Sequence, residues 1–150
     1  MTALNRAEFA EECLKRAKFF GAHAHYLLAV AQLRSGIDDA AKDPLFGPFQ
    51  LKQDQWNKQR VDPDLKFEAS DINVWQKQCS LFACWTHKVH SALATANGED
   101  PTAEDIYKFQ FPGAATDKLD DAFAATKDLL PAPAQVASHT EGLESLFPTA

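Results

Sequence analysis

The stretch HAHYLLAVAQLRSG, residues 23–36, is apolar on most faces through Tyr26-Leu27-Leu28-Ala29-Val30-Ala31. A helix of that kind is a central, buried one. Gly36 stands where a left-handed cap closes a helix C-terminus. Such a helix must be covered by neighbours, and the flanking sequence supplies them as helices. Upstream, Asn5 with Glu8 three positions later forms an approximate capping box. Phe9, Cys13, Ala17 and Phe20 follow at helical spacing until Gly21 breaks the run.

Downstream, Asp38, Asp39, Pro44, Gly47 and Pro48 mark residues 37–50 as a loop. A short helix with Trp56 is expected at about 51–58, then a polar connection containing Pro63. The longest helix is expected from Ser70 or Asp71 to Asn97-Gly98, with Ile72, Trp75, Cys79, Phe82, Trp85 and Val89 on one face. That stripe reads as core packing. Thr102 with Asp105 opens a helix at about 103–111, ended by Pro112-Gly113, and Thr116 opens a last one to about Leu130. Neither a repeat nor a strand pattern rises above these signals. The fold expected is all-α, about six helices over residues 1–130. Residues 131–150, PAPAQVASHTEGLESLFPTA, read as a linker or tail.

The length of 150 residues suits one domain with its own core, and 45% apolar against 24% charged residues argues against disorder. A net charge of −6 lacks the basic footprint of a nucleic-acid binder. Acidic residues interrupt the N-terminal stretch where a secretory signal needs an apolar core, and no run reaches a membrane-spanning length. Three cysteines, an odd count, fit a reducing compartment better than a disulfide framework. A cytoplasmic protein is therefore expected, the alternative being export by another route.

Three local patterns occur in order. A buried helix ends in Ala31-Gln32-Leu33-Arg34-Ser35-Gly36, a loop leads to Gly47-Pro48-Phe49-Gln50-Leu51 and a short helix, and Ile106-Tyr107-Lys108-Phe109-Gln110-Phe111 comes much later. Over about residues 5–130 this order resembles the soluble lytic transglycosylases and goose-type lysozymes. In that family the first helix ends in Glu-Ser, a Gly-x-x-Gln segment lines the sugar cleft, and a later tyrosine orients the catalytic acid. The resemblance implies a lysozyme-like fold, with Gly47 and Gln50 matching Gly-x-x-Gln, Ser35 the serine and Tyr107 the tyrosine. Arg34 departs from the pattern. It stands where the family keeps its glutamate.

That departure bears on chemistry. Glycoside cleavage needs a proton donor whose pKa lies near the working pH, a role worth about 10²–10⁴-fold. Arginine holds its proton to above roughly 12. Arg34 therefore cannot serve, and a replacement acid must come from Asp38, Asp39 or Asp43 if the chain cleaves at all. Two carboxyl groups about 6.5–9.5 Å apart are required for the inverting scheme. At the end of its helix Arg34 is also placed to pair with Asp38 or Asp39 near the negative end of the dipole.

Cys84, His87 and His90 at three-residue steps, with Cys79 before them, suggest a zinc site only weakly, because zinc sites draw ligands from two elements. Cys84 and His87 lack the third group and oxyanion hole of a nucleophilic pair. No metal or other cofactor is expected. Read together, the sequence points to a catalytically degenerate lytic transglycosylase-like domain serving as a binding or adaptor module in a larger bacterial protein. Arg34, Ser35, Phe49, Gln50 and Tyr107 are its candidate ligand-contacting residues. Peptidoglycan or a chitooligosaccharide, another protein or a fused domain are the partners this implies, with neither nucleic acid nor membrane among them. The alternatives are a peptidoglycan-cleaving enzyme with a replacement carboxylate, and a glycan-binding domain without chemistry.

Overall fold

The computed structural model describes residues 4–39 and 44–135. Six helices follow in order: α1 Arg6–Phe20, α2 Ala24–Ser35, α3 Gln53–Gln59, α4 Trp75–Asn97, α5 Ala103–Gln110 and α6 Leu119–Thr126. The all-α reading holds, with one addition. Leu45–Phe46 (β1) and Leu51–Lys52 (β2) pair antiparallel around the turn 47–50, Leu45 opposite Lys52 and Phe46 opposite Leu51. Two-residue strands carry no period, so alternation cannot announce them.

The 23–36 stretch is the centre of the molecule. Every residue from Ala24 to Ala31 is buried. α6 lies along one side of α2 and α1 along another, while α4 packs chiefly on α1. The aromatic core gathers on Phe82 of α4, whose ring stacks on Phe49 at 4.4 Å and lies parallel to Tyr26 at 6.2 Å. Where α1 meets α4, the buried Cys13 and Cys79 sulfurs are 3.9 Å apart. Three polar side chains in this core are joined to one another. Tyr26 donates to Gln110 Oε1 at 2.7 Å and Gln110 Nε2 donates to Thr86 at 3.1 Å, so α2, α5 and α4 share one buried chain of hydrogen bonds.

Helix ends differ from expectation where local turns intervene. Asn5 accepts from Glu8 N at 2.9 Å and Gly21 closes α1 with φ 80°, as its sequence suggests. α4 starts at Trp75 rather than Ser70, because Ala69–Asn73 forms a separate 3₁₀ turn in which Asp71 accepts from Glu68 N at 2.9 Å. α6 is shorter than 116–130, since Lys127–Leu129 continues as a 3₁₀ turn. Ala134 is fully buried, so the packed chain runs past Leu130, and residues 136–150 of the expected tail lie outside the described part.

The entry to α2 makes the fold sensitive to acid. Burial, reinforced by the neighbouring His25 and His90, lowers the His23 pKa from 6.5 to about 4. Burial also lowers His25, against the hydrogen bond its Nε2 donates to Phe123 O. Between pH 6.5 and 4 the unfolded chain binds the His23 proton and the folded chain does not. Stability is therefore present at neutral pH and lost as pH falls through that window, by about 3 kcal/mol for His23 alone. Urea titrations at pH 7 and pH 4 are expected to show this loss, and His23→Gln is expected to flatten most of it. An equal slope in the variant rules His23 out as the source.

Candidate functional site

Arg34 sits in the last turn of α2, which Gly36 closes at φ 70° with its N–H shared between Ala31 O and Gln32 O. Opposite it lies the turn 47–50. Gly47 is at φ 71° and Gln50 at φ 52°, a left-handed backbone that a glutamine rarely adopts. The turn is closed twice, by Gln50 N and by Gln50 Nε2, both donating to Gly47 O at 3.0 and 2.7 Å. With the turn shaped this way, the carbonyls of Phe49 and Gln50 converge on position 34.

The guanidinium fills that space. Arg34 Nε donates to Phe49 O and Nη2 to Gln50 O, each at 2.7 Å, while Nη1 reaches Tyr107 Oη at 3.4 Å. Its carbon lies 3.8 Å from the centroid of the Phe111 ring, a cation–π contact. Charge-assisted bonds to carbonyls replace the pairing with Asp38 or Asp39 that the helix-end position suggested. The reason is geometric: two converging carbonyls match the planar fork of an arginine.

Beside the guanidinium a groove of about 300 Å³ remains, lined by Leu33, Arg34, Leu45, Gln50, Tyr107 and Asp117 among others. Arg34, Gln50 and Tyr107, drawn from three separate stretches of sequence, thus meet in one place. Their accessibility is another matter. Gln50 and Tyr107 are buried to 2% and 3% exposure. Phe49 is at 0%, a core ring between Phe9 and Phe82, so its place among ligand-contacting residues is corrected: it has no surface to offer. Ser35 is part-buried, and its hydroxyl lies 2.7 Å from Pro48 O and 3.0 Å from Ala31 O, tying the helix end to the turn.

Asp38 and Asp39 do not line the groove, and Asp43 lies outside the described residues. Asp38 N donates to Ser35 Oγ at 3.1 Å. Partial burial, with Asp38 adjacent, raises the Asp39 carboxyl above the usual range. The groove's own carboxylate, Asp117, is exposed. Cys84, His87 and His90 point to different partners. Burial and the nearby Asp62 push the Cys84 thiol up to about 11, His87 Nδ1 donates to Gly21 O, and His90 lies 3.9 Å from Asp100. A thiol so raised is a poor nucleophile at neutral pH. Among the described residues no group of three or more His, Cys, Asp or Glu is arranged to hold a metal ion.

Two residues that shape the site escaped the sequence reading. Gln78, fully buried on α4, donates through Nε2 to Phe46 O and Ile72 O at 2.9 Å each and accepts from Phe49 N at 3.3 Å. It clamps the hairpin onto α4. Its signal was present: Gln78 stands three residues after Trp75 and four before Phe82, a polar residue at core spacing. Phe111, the platform under Arg34, follows directly on α5, and its place in the third pattern does not announce that contact.

Protein-family models, curated proteins and solved structures were compared with this chain, and none matches.

Proposed function

We propose that this chain is a non-catalytic, lysozyme-like domain that serves as a binding or adaptor module of a bacterial protein. The observation that carries the reading is the state of Arg34. Where the resembled family holds a protonated glutamate, a permanent cation is bonded to two backbone carbonyls and laid over an aromatic ring. Such a group neither donates a proton to a leaving oxygen nor leaves room for a carboxylic acid to do so. The convergence of Arg34, Gln50 and Tyr107 on one groove supports the lysozyme-like part of the proposal. Cytoplasmic placement belongs to the same reading. It is supported by three free cysteines, and no helix among the described residues is long and apolar enough to cross a membrane.

Purified peptidoglycan sacculi test the reading directly. Incubation with the wild-type chain is expected to leave turbidity unchanged and to release no soluble muropeptides. Clearing that disappears in an Asp38→Asn/Asp39→Asn variant establishes the competing enzyme, for which the raised Asp39 carboxyl is the favouring observation. Saturable binding of a chitooligosaccharide that is lost on Gln50→Ala makes the groove a glycan site and identifies the module's partner as a sugar.

A further inference from the structure

A larger groove lies away from Arg34, between the C-terminal turn of α1, the segment 62–67 and the first turns of α4. Its volume is about 640 Å³, with Phe19, Phe20, Phe67 and Val74 around it and Leu65 and Ser80 buried at its base. A hollow of about 360 Å³ extends it past Phe19 and Phe20 to Cys84 and His87. Phe19, at 72%, is the most exposed large apolar side chain among the described residues, and Val74 beside it is 39% exposed. Phe19 is held edge-on to Phe20 at 4.8 Å. An aromatic ring presented to water beside a ready concavity is the usual makeup of an interaction surface.

The charges on the rim say what fits. Arg16 is paired with Glu12 at 2.7 Å, Lys77 with Asp71 at 3.0 Å and Lys88 with Asp62 at 2.8 Å. Each cation of the rim is thus neutralised by its own neighbour. Asp64 borders both hollows, and among the described residues its carboxylate enters no ion pair. We propose that this groove docks an amphipathic segment of a partner protein, with an apolar or aromatic anchor seated against Phe19 and Phe20 and one lysine or arginine facing Asp64. Two other occupants match less well. The chain's own residues 136–150 carry Glu141 and Glu144 and no lysine or arginine, and a second copy brings a net charge of −6 toward an equal one. The proposal rests on the adaptor reading for its purpose and gives it a surface, while its geometry is independent of Arg34.

Selection of random phage-displayed peptides on the immobilised full chain, followed by fluorescence anisotropy with the enriched peptide, tests it. The expected peptides share a Phe, Trp or Leu near a Lys or Arg. Affinity is expected to fall at least about tenfold on Phe19→Asp or Val74→Asp, and less on Asp64→Asn. Asp64→Lys is expected to transfer preference to the peptide with its basic residue changed to Glu. Circular dichroism verifies that each variant is folded, and Val74→Asp stands in if Phe19→Asp is not. No enrichment, acidic consensus peptides, or binding indifferent to both groove variants overturns the proposal. So does a dimer in sedimentation that Phe19→Asp abolishes, which makes a second copy the occupant. Tighter peptide binding in a full-length Leu143→Ser/Phe147→Ser variant overturns it in favour of the chain's own tail. Cell-wall clearing in the sacculus assay sinks the adaptor reading without touching this result, so the two failures are separable.

Discussion

Replacing Gly47 with alanine is expected to remove about 4 kcal/mol of stability, an effect large for one methyl group. Two costs combine. The backbone is at φ 71°, which an L-residue with a β-carbon adopts at a cost of roughly 1 kcal/mol. The larger cost is steric: the new carbon would lie 2.6 Å from Gln78 Oε1 and closer still to its Cδ and Nε2. The Gln78 amide has nowhere simple to go, because both its donor bonds and its acceptor bond are already made to the hairpin and to Ile72. Moving it strands buried carbonyls at about 1–3 kcal/mol each. Urea titration is expected to register the loss directly, and thermal unfolding as a fall of roughly 10 °C in Tm, at about 2–4 °C per kcal/mol for a domain of this size. A double-mutant cycle isolates the cause. In a Gln78→Ala background Gly47→Ala is expected to cost only the roughly 1 kcal/mol of backbone strain. An undiminished penalty there disproves the clamp.

Arg34→Met is expected to be nearly as damaging, at about 4 kcal/mol, although the site is only half-buried. Methionine keeps the length of the aliphatic stem, though it carries no guanidinium carbon to lie over Phe111. What disappears are two charge-assisted hydrogen bonds of 2.7 Å, and the Phe49 and Gln50 carbonyls lose the donors they converge on. Arg34→Lys is expected to recover less than half, since a single ammonium does not reproduce a planar fork across two acceptors. Hydrogen exchange gives a second measurement: the Gln50 amide, bonded to Gly47 O, is expected to exchange faster in Arg34→Met while the amides of α4 do not. A loss below about 1 kcal/mol with unchanged exchange means the turn holds itself. The guanidinium is then an ornament of the site.

The sequence made the helices legible because their cause is local and periodic. Asn5, Gly21, Gly36, Thr102 and the apolar steps through α4 each act within a turn or two of where they stand, and each does in the fold what its type suggests. The site was legible only as a set of names. That Arg34, Gln50 and Tyr107 share a groove followed from a resemblance in their order, and the structure brings them together. Their bonding was not legible. Nothing in the type of residue 49 or 50 announces that its carbonyl faces an arginine, because the acceptors are main-chain atoms common to every residue. The same holds for Phe49, whose position in a loop suggested exposure while tertiary stacking on Phe82 put it in the core. Asp38 and Asp39 were chosen for proximity in sequence, a weak guide once Gly36 and Ile37, both at positive φ, redirect the chain.

The broad seating of α6 on α2 has a consequence for how the protein is made. During synthesis the segment from Ala24 to Ala31 leaves the ribosome about 90 residues before its cover on α6. At roughly 5–20 residues per second that interval lasts roughly 5–20 s. For that time the side of α2 that α6 covers is bare, and a premature stop before Leu119 leaves it so for good. Newborn and truncated molecules are therefore natural clients of chaperones that bind exposed apolar segments.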